Sequence, residues 1–167
     1  MLLGRLGLPF TCYPPGLDEK PLPQEDPRAM VKRLAAAKAA AVSKVFPGSV
    51  IIGSDQLAIF DGRPVGKPGT HDRAFEQLAS FSGRKVDFLT SVTVLAPETA
   101  FEASHTDCTS VEFRTLTDED IRRYLKRDEP YDCAGSFKAE ALGITLFERI
   151  SSEDPTALLG LPLIRTA

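Results

Sequence analysis

Three short segments of this sequence place charged or amide side chains beside glycine, where the backbone can approach a ligand closely. They are residues 53–56, residues 66–68 and residues 131–143. Each segment adjoins an apolar run typical of a strand, so we expect rigid elements to carry the charged groups. The chain has dispersed carboxylates and lysines but no glycine-rich phosphate loop. This combination favours a metal-assisted nucleotide hydrolase of a type other than the P-loop enzymes.

Asp55 is the strongest single candidate for a catalytic residue, because it lies at the end of a short apolar strand. A carboxylate there could bind Mg²⁺ or accept a proton from an attacking water molecule. An aspartate that bonds its own backbone in a turn is the alternative interpretation, and it is common near glycine. Gln56 beside it, and Lys67 on the other arm of a predicted hairpin, favour the functional interpretation.

Other charged residues are candidates for binding a substrate or a metal. Lys38 and Lys67 would neutralise phosphate oxygens, although most lysines are simply solvated. Glu19 and Asp132 are candidates for binding a metal or a water molecule. The alternative interpretation is that these acidic residues only make the loops soluble. Glu140 lies between two alanines, which suggests partial enclosure. Its carboxylate could accept hydrogen bonds from the N1–H and the exocyclic amine of guanine, against the alternative of an exposed glutamate.

Helices alternate with strands along the predicted structure, which indicates an α/β domain. The first helix is predicted from about Pro27 to a stop at residues 47–48, and a hairpin follows with its turn at Asp61 and Gly62. The buried stripe predicted for this helix comprises Met30, Leu34, Ala37, Ala41 and Val45. The other predicted elements are a helix from residue 70 or 71 to about 80, strands at 86–95, 106–113 and 144–147, and a helix with a capping box at 117–120.

The composition fits one globular domain with a substantial core, since 43% of the 167 residues are hydrophobic and 26% are charged. The net charge of −3 argues against a protein that coats a nucleic-acid polymer. No apolar run reaches membrane-spanning length, so we expect a cytoplasmic protein without a membrane segment. Three widely spaced cysteines predict reduced thiols rather than a zinc site, and Asp132 should raise the pKa of the Cys133 thiol.

Taken together, these residues resemble the Maf family of nucleotide pyrophosphatases over nearly the whole chain. The resemblance rests on the order and spacing of residues 15–19, 34–39, 53–56, 66–68, 78–83, 132–143 and 160–162. It implies a single elongated α/β domain of the ITPase-like type over residues 1–167, with a mixed sheet flanked by helices and a deep substrate cleft. It also implies hydrolysis of a nucleoside triphosphate to the monophosphate and pyrophosphate with Mg²⁺ or Mn²⁺, and it leaves a homodimer open.

The same resemblance implies roles for individual residues. Asp55 matches the residue assigned as proton acceptor in the family, and Lys67 matches the phosphate-binding lysine. Members that act on dTTP and UTP usually carry Thr and Gln where this chain has Gln56 and Glu140. The combination found here resembles the subgroup that hydrolyses 7-methyl-GTP, whose positively charged base would suit Glu140. A dTTP or UTP pyrophosphatase and a catalytically weak nucleotide-binding regulatory protein are the open alternatives.

One departure from the family pattern concerns the start of the chain. Family members open with a strand and a loop, roughly Leu-Ala-Ser-x-Ser-x-x-Arg, whose serine and arginine contact the phosphates. This chain begins at a point that corresponds to the following helix. The resemblance therefore predicts a domain that is truncated at its N-terminus.

Overall fold

Five strands form one sheet in the computed structural model, which describes residues 2–167. The strands are β1 (Ile51–Phe60), β2 (Arg63–Val65), β3 (Lys85–Ala96), β4 (Phe101–Phe113) and β5 (Phe147–Ser151), and their order across the sheet is β2-β1-β3-β4-β5. The α-helices are α1 (Pro27–Ser43), α2 (His71–Phe81), α3 (Asp118–Asp128) and α4 (Leu163–Thr166). Helices flanking a sheet confirm the predicted α/β class. Within residues 2–167, no helix combines the length and the apolar character that crossing a membrane requires.

The sheet is antiparallel, whereas the resemblance described above implies a mixed one. Between β1 and β2, Ala58 lies opposite Val65, and the chain reverses at Asp61 and Gly62 with φ angles of 49° and 73°. This geometry confirms the predicted hairpin turn. A short connection at residues 97–100 joins β3 to β4. Short connections of this kind produce antiparallel neighbours, because a parallel pair needs a longer crossover.

The described residues divide into two compact units. The first unit contains the described residues up to Gln56 together with Leu89–Cys108 and Glu153–Ala167. The second unit contains Leu57–Phe88 and Thr109–Ser152. As a result, β1, β3 and β4 each contribute residues to both units.

In the first unit, α1 begins where the sequence predicts and ends earlier. Asp26 caps the helix by accepting hydrogen bonds from the backbone N–H groups of Arg28 and Ala29, and Pro27 is the first helical residue. The helix ends at Ser43, because the chain then turns through residues 44–49. The buried residues of α1 are Met30, Val31, Leu34, Ala35 and Ala39, so the buried face is rotated away from Ala37, Ala41 and Val45.

Aromatic rings fill the core of the second unit. Phe137 contacts Phe88 and Phe147 edge to face, with ring centroids 5.1 and 4.8 Å apart. Such contacts stabilise a core beyond the area that they bury. The helix α3 begins at the predicted capping box, in which Thr117 and Asp120 satisfy each other's backbone N–H groups.

The prediction of a strand at residues 144–147 is wrong. Leu142–Leu146 form a 3₁₀ helix, and β5 begins only at Phe147. The backbone N–H groups of Ala141 and Gly143 both donate to the carbonyl oxygen of Lys138, at 3.2 and 3.1 Å. These bonds coil the chain, and they leave Ile144 55% exposed. A short apolar run does not by itself distinguish a strand from a helical turn.

Candidate functional site

Asp55, Lys38 and Glu19 form one charged cluster in the first unit. The ammonium of Lys38 donates to Oδ1 of Asp55 at 2.6 Å and lies 2.7 Å from Oε1 of Glu19. Side-chain exposure falls from 50% at Glu19 through 20% at Lys38 to 8% at Asp55. The cluster therefore extends from the surface to a nearly buried carboxylate, and Lys38 joins its two acidic members.

Lys38 stays protonated within this cluster. Burial alone would lower the pKa of its ammonium, but the hydrogen bonds to Asp55 and Glu19 and the charges of these carboxylates outweigh burial and raise the pKa. A charged ammonium balances the negative charge of Asp55 and restricts the orientation of its carboxylate. Asp55 lies inside β1 (Ile51–Phe60) and not at the end of a strand as the sequence predicts. A carboxylate held in this way on a rigid element is suited to chemistry.

Gly53 allows α1 to come close enough for Lys38 to reach Asp55. A Cβ atom at Gly53 would lie 2.4 Å from the carbonyl oxygen of Ala35 and 2.6 Å from the backbone nitrogen of Ala39. Helix and strand thus pack backbone against backbone, which only glycine permits here. Lys38 lies between these two alanines in the sequence of α1, and Asp55 lies two residues beyond Gly53, on the same face of β1.

Gln56 lies on the opposite face of β1 from Asp55, because side chains alternate along a strand. Its amide nitrogen donates to the hydroxyl of Thr90 at 2.9 Å and to the carbonyl oxygens of Ala157 and Leu158 at 3.0 and 3.1 Å. The structure thus places this predicted substrate-binding residue in contacts within the protein. Direct contact between Gln56 and a substrate stays a prediction.

In the second unit, the segment around Lys67 lies beside the segment that contains Asp132. The backbone N–H of Gly69 donates to the carbonyl oxygen of Tyr131 at 2.9 Å. Both Lys67 and Asp132 have exposed side chains, so a ligand in solvent can reach them. Their roles in binding phosphate and metal stay predictions.

Gln77 links the same two segments, and no signal in the sequence predicts this link. Its amide nitrogen donates to the carbonyl oxygen of Gly66 at 3.1 Å, and its Oε1 accepts a hydrogen bond from the hydroxyl of Ser136. Ser136 is fully buried and has a φ of 61°. A side-chain bond at such a position helps to hold a backbone conformation that L-residues adopt rarely. A glutamine on an amphipathic helix is too common to predict this link.

Glu140 is exposed, on a turn whose backbone is held from inside the unit. The backbone N–H of Lys138 donates to the hydroxyl of Tyr124 at 3.1 Å, and its ammonium donates to the carbonyl oxygen of Asp128 at 2.9 Å. At the other end of the turn, a Cβ atom at Gly143 would lie 2.5 Å from the carbonyl oxygen of Lys138. The turn is therefore fixed at both ends, and contact between Glu140 and a base stays a prediction.

The thiol of Cys133 is a poor nucleophile in this environment. Burial and the charge of the neighbouring Asp132 raise its pKa to about 11. This confirms the predicted direction of the shift. A thiol that is protonated at neutral pH lacks the thiolate that reacts.

The carboxylates of Glu19 and Asp55 have the donor chemistry that a divalent cation requires, and their role as metal ligands stays a prediction. Both present the oxygen donors that Mg²⁺ and Mn²⁺ favour, and both have an oxygen within 2.7 Å of the Lys38 nitrogen, which brings them close together. Within residues 2–167 there is no group of three or more His, Cys, Asp or Glu side chains that could hold a metal. A pair suffices for Mg²⁺, which usually binds one or two carboxylates together with substrate phosphates. Asp132 belongs to the second unit, and its role as a metal ligand stays a prediction.

A family model described as Maf-like protein matches residues 1–167. A protein of Polaromonas sp. named 7-methyl-GTP pyrophosphatase is 54% identical over 165 residues, which cover 99% of this chain and 75% of that protein. A protein of the same name from Xanthomonas axonopodis pv. citri is 52% identical over 166 residues, covering 99% of this chain and 86% of that protein. A third, from Bordetella pertussis, is 52% identical over 167 residues, covering 98% of this chain and 81% of that protein.

Proposed function

Because the chain belongs to the Maf-like family, we propose that it is a nucleoside triphosphate pyrophosphatase whose substrate is 7-methyl-GTP. The products are the nucleoside monophosphate and pyrophosphate. One observation carries the proposal: relatives named 7-methyl-GTP pyrophosphatase are 52–54% identical to this chain across 98–99% of its length. The charged cluster around Asp55 supplies groups that suit this reaction.

Asp55 is the residue that we expect to accept a proton from the attacking water molecule. The water oxygen bonds to the α-phosphorus, the bond from that phosphorus to the bridging oxygen breaks, and pyrophosphate departs. The proton that the water loses goes to the carboxylate of Asp55. Lys38, whose ammonium lies 2.6 Å away, keeps this carboxylate in one orientation.

Negative charge on the phosphate chain requires cationic partners. The exposed ammonium of Lys67 would contact phosphate oxygens, whereas Lys38 acts mainly through the two carboxylates that it already binds. Glu19 and Asp55 would hold Mg²⁺ or Mn²⁺, and Asp132 would add a ligand or orient a water molecule. When bound, the cation would polarise the phosphate oxygens.

Glu140 is our candidate for recognising the base. Methylation at N7 gives guanine a positive charge, which favours a neighbouring carboxylate. The same carboxylate can accept hydrogen bonds from the N1–H and the exocyclic amine of guanine. Its exposure on a fixed turn leaves it accessible to a ligand.

Release of pyrophosphate from a panel of nucleotides tests the proposal. The panel contains 7-methyl-GTP, GTP, dTTP and UTP, each with Mg²⁺ and with Mn²⁺, and nucleotide binding is measured in parallel. We expect 7-methyl-GTP to have the highest kcat/KM, at least about tenfold above dTTP and UTP. The Asp55→Asn variant should still bind nucleotide and should lose at least about 100-fold in kcat.

Each other outcome has a distinct meaning. A preference for dTTP or UTP would support the proposed reaction but contradict 7-methyl-GTP as the substrate. Binding of a nucleotide without release of pyrophosphate would favour a regulatory protein. Turnover near the wild-type rate in Asp55→Asn, with an unchanged far-UV circular dichroism spectrum, would remove Asp55 from the mechanism.

A further inference from the structure

The segment that carries Glu19, residues 16–25, precedes α1 in the first unit, and we name it the Glu19 loop. Residues 16–24 are all exposed, so burial of apolar side chains does little to fix this loop. Its carboxylate nevertheless lies 2.7 Å from the ammonium of Lys38 on α1. The position of Glu19 relative to α1 therefore depends on polar contacts.

Arg33 on α1 makes three hydrogen bonds to the Glu19 loop. Its Nε donates to Oε1 of Glu25 at 2.6 Å, and its Nη2 donates to Oε2 of the same carboxylate at 2.7 Å. Nη2 also donates to the carbonyl oxygen of Lys20 at 3.2 Å, one residue after Glu19. Paired bonds of this kind fix the plane of a guanidinium group. One side chain of α1 thus holds both ends of residues 20–25.

Glu25 in turn holds the bend between these two ends. Its side chain is only 8% exposed, and its Oε2 accepts a hydrogen bond from the backbone N–H of Leu22 at 3.0 Å. Its backbone N–H donates to the carbonyl oxygen of Leu22 at 3.1 Å. Gln24, inside this bend, has a φ of 57°, which L-residues adopt rarely. A conformation of this kind persists only when its surroundings hold it, as Glu25 does here.

The positive charge of Arg33 also acts on its surroundings. The hydrogen bond to Glu25 raises the pKa of the guanidinium against the effect of burial, and the charges of Glu25 and Asp55 add to this shift. Removal of Arg33 would therefore change both the contacts of the loop and the electrostatic potential at Asp55. A lysine in its place keeps the charge without the planar fork, so it separates the two effects.

We infer that Arg33 and Glu25 are positioning residues for Glu19. Their ion pair holds the Glu19 loop against α1 and keeps the carboxylate of Glu19 beside Lys38, where the proposed divalent cation binds. Both residues act through the loop and need no contact with the substrate. The effect on metal binding and on kinetics rests on the proposed function, whereas the order of the loop does not.

Arg33→Met keeps an unbranched side chain and removes the fork. Backbone ¹⁵N relaxation measures the order of the loop in this variant and in the wild type. We expect the order parameters at Glu19, Lys20 and Leu22 to fall from about 0.8 to below about 0.6, while those of β1 stay the same. Glu25→Gln should have the same effect, and the double variant should lose little more than either single one, because the two residues act as a unit.

Affinity for Mn²⁺ supplies a readout that a merely structural role would not change. In a titration followed by electron paramagnetic resonance, Arg33→Met should bind Mn²⁺ about tenfold more weakly than the wild type, as when other groups that orient a metal ligand are lost. The Mn²⁺ concentration for half-maximal turnover of 7-methyl-GTP should rise by the same factor. The kcat at saturating Mn²⁺ should stay within about twofold, since Lys38 still contacts Asp55.

Arg33→Lys tests whether the fork or the charge matters. An ammonium cannot reproduce the paired bonds to Glu25 together with the bond to the Lys20 carbonyl oxygen. We therefore expect most of the loss in loop order and in Mn²⁺ affinity to remain in this variant. Complete recovery of both quantities would show that Arg33 acts through its charge alone, and the inference would be overturned.

Arg123→Met is the matched control. It removes another helical arginine that pairs with a carboxylate, that of Asp120 at 2.5 Å, but in the second unit, and it should change neither loop order nor Mn²⁺ affinity. Unchanged loop order in Arg33→Met would overturn the inference, and so would a disordered loop with wild-type affinity for Mn²⁺. A wild-type protein that binds no Mn²⁺ would overturn it as well. A wild-type protein that binds Mn²⁺ but releases no pyrophosphate would reject the proposed function, and loop order and Mn²⁺ affinity would still test the positioning.

Discussion

The ammonium of Lys38 lies 2.6 Å from a carboxylate oxygen of Asp55, across a sequence separation of 17 residues. Asp55 is only 8% exposed, and a carboxylate at that depth is stable when it has a cation beside it. The same ammonium reaches Glu19 at 2.7 Å, so a single lysine holds a buried acid and a surface acid together. The ion pair between Lys38 and Asp55 therefore stabilises the folded chain and also orients the carboxylate of Asp55.

Lys38→Met keeps the aliphatic stem and removes the charge. It should remove the ammonium that lies 2.6 Å from the nearly buried carboxylate of Asp55, and we expect the melting temperature to fall by about 5 °C. Neutralising both partners should recover part of the loss, so the double variant Lys38→Met with Asp55→Asn should be more stable than the two single effects predict. Thermal unfolding of the four proteins measures this coupling. Simple additivity would show that the pair contributes nothing to stability.

The stability that Lys38 contributes should depend on pH in a defined direction. Because its pKa is raised in the folded protein, the contribution is fully present below the pKa of an unfolded lysine, about 10.4, and is lost as pH rises through the folded value. The difference in melting temperature between wild type and Lys38→Met should therefore be constant from about pH 6 to about pH 9 and should narrow only above about pH 10.5. A difference that disappears near neutral pH would contradict this assignment.

Local signals in the sequence predicted the parts of the fold that depend on local chemistry. The turn at Asp61 and Gly62 requires positive φ angles, which asparagine, aspartate and glycine tolerate best. The capping box at Thr117 satisfies backbone groups three residues away. Asp55 and Lys38 could be identified as candidate site residues because each lies at the end or the border of an apolar pattern.

Contacts between distant segments could not be predicted in the same way. That Lys38 meets Asp55 depends on how closely α1 approaches β1, and this is set by a glycine whose role becomes visible only in three dimensions. The link from Gln77 to Gly66 and Ser136 joins three segments through one ordinary glutamine. The strand predicted at residues 144–147 does not form as predicted, because the backbone N–H groups of Ala141 and Gly143 donate to the carbonyl oxygen of Lys138 and coil the chain there.

Gly53→Ala tests the close approach of α1 and β1. The new Cβ atom would lie 2.4 Å from the carbonyl oxygen of Ala35, so the helix must move away from the strand. We expect a loss of about 1–3 kcal/mol in the free energy of unfolding and a lower kcat, since the same movement separates Lys38 from Asp55. Gly66→Ala is the matched control for stability, because no atom lies within 4 Å of its added Cβ. Equal unfolding midpoints in urea for the two variants would contradict the role of Gly53.

Glu140→Gln tests recognition of a cationic base. The substitution keeps the size of the side chain, removes its charge and exchanges one acceptor for a donor. We expect kcat/KM for 7-methyl-GTP to fall about tenfold while the value for UTP changes by less than about twofold. Glu148→Gln, at an exposed position on β5, is the control for loss of one negative charge in the same unit. An unchanged ratio of the two substrates would exclude Glu140 as the residue that selects the base.

Asp107 is a buried carboxylate that works against stability at neutral pH. Its side chain on β4 is 4% exposed, and among the residues that the structure describes its Oδ1 has no hydrogen-bond partner. Burial raises the pKa of Asp107, as do the charges of Asp154 and Glu153, while His105 and the backbone N–H of Asp154 oppose the shift. The folded protein therefore binds a proton at Asp107 more readily than the unfolded chain does, and ionising this group costs stability.

Asp107→Asn should accordingly stabilise the protein in a pH-dependent way. Below the ordinary pKa of an aspartate, about 3.9, Asp107 is protonated in both the folded and the unfolded chain, and the variant should gain little. As pH rises through the raised pKa, the wild type takes on the cost of a buried charge that asparagine avoids. We expect the variant to melt about 2–4 °C above the wild type at neutral pH. Glu102→Gln, an exposed acid on the same strand, should show no such pH-dependent gain. A variant that melts below the wild type at neutral pH would mean that the ionised carboxylate is stabilised by its surroundings, against the direction of the shift.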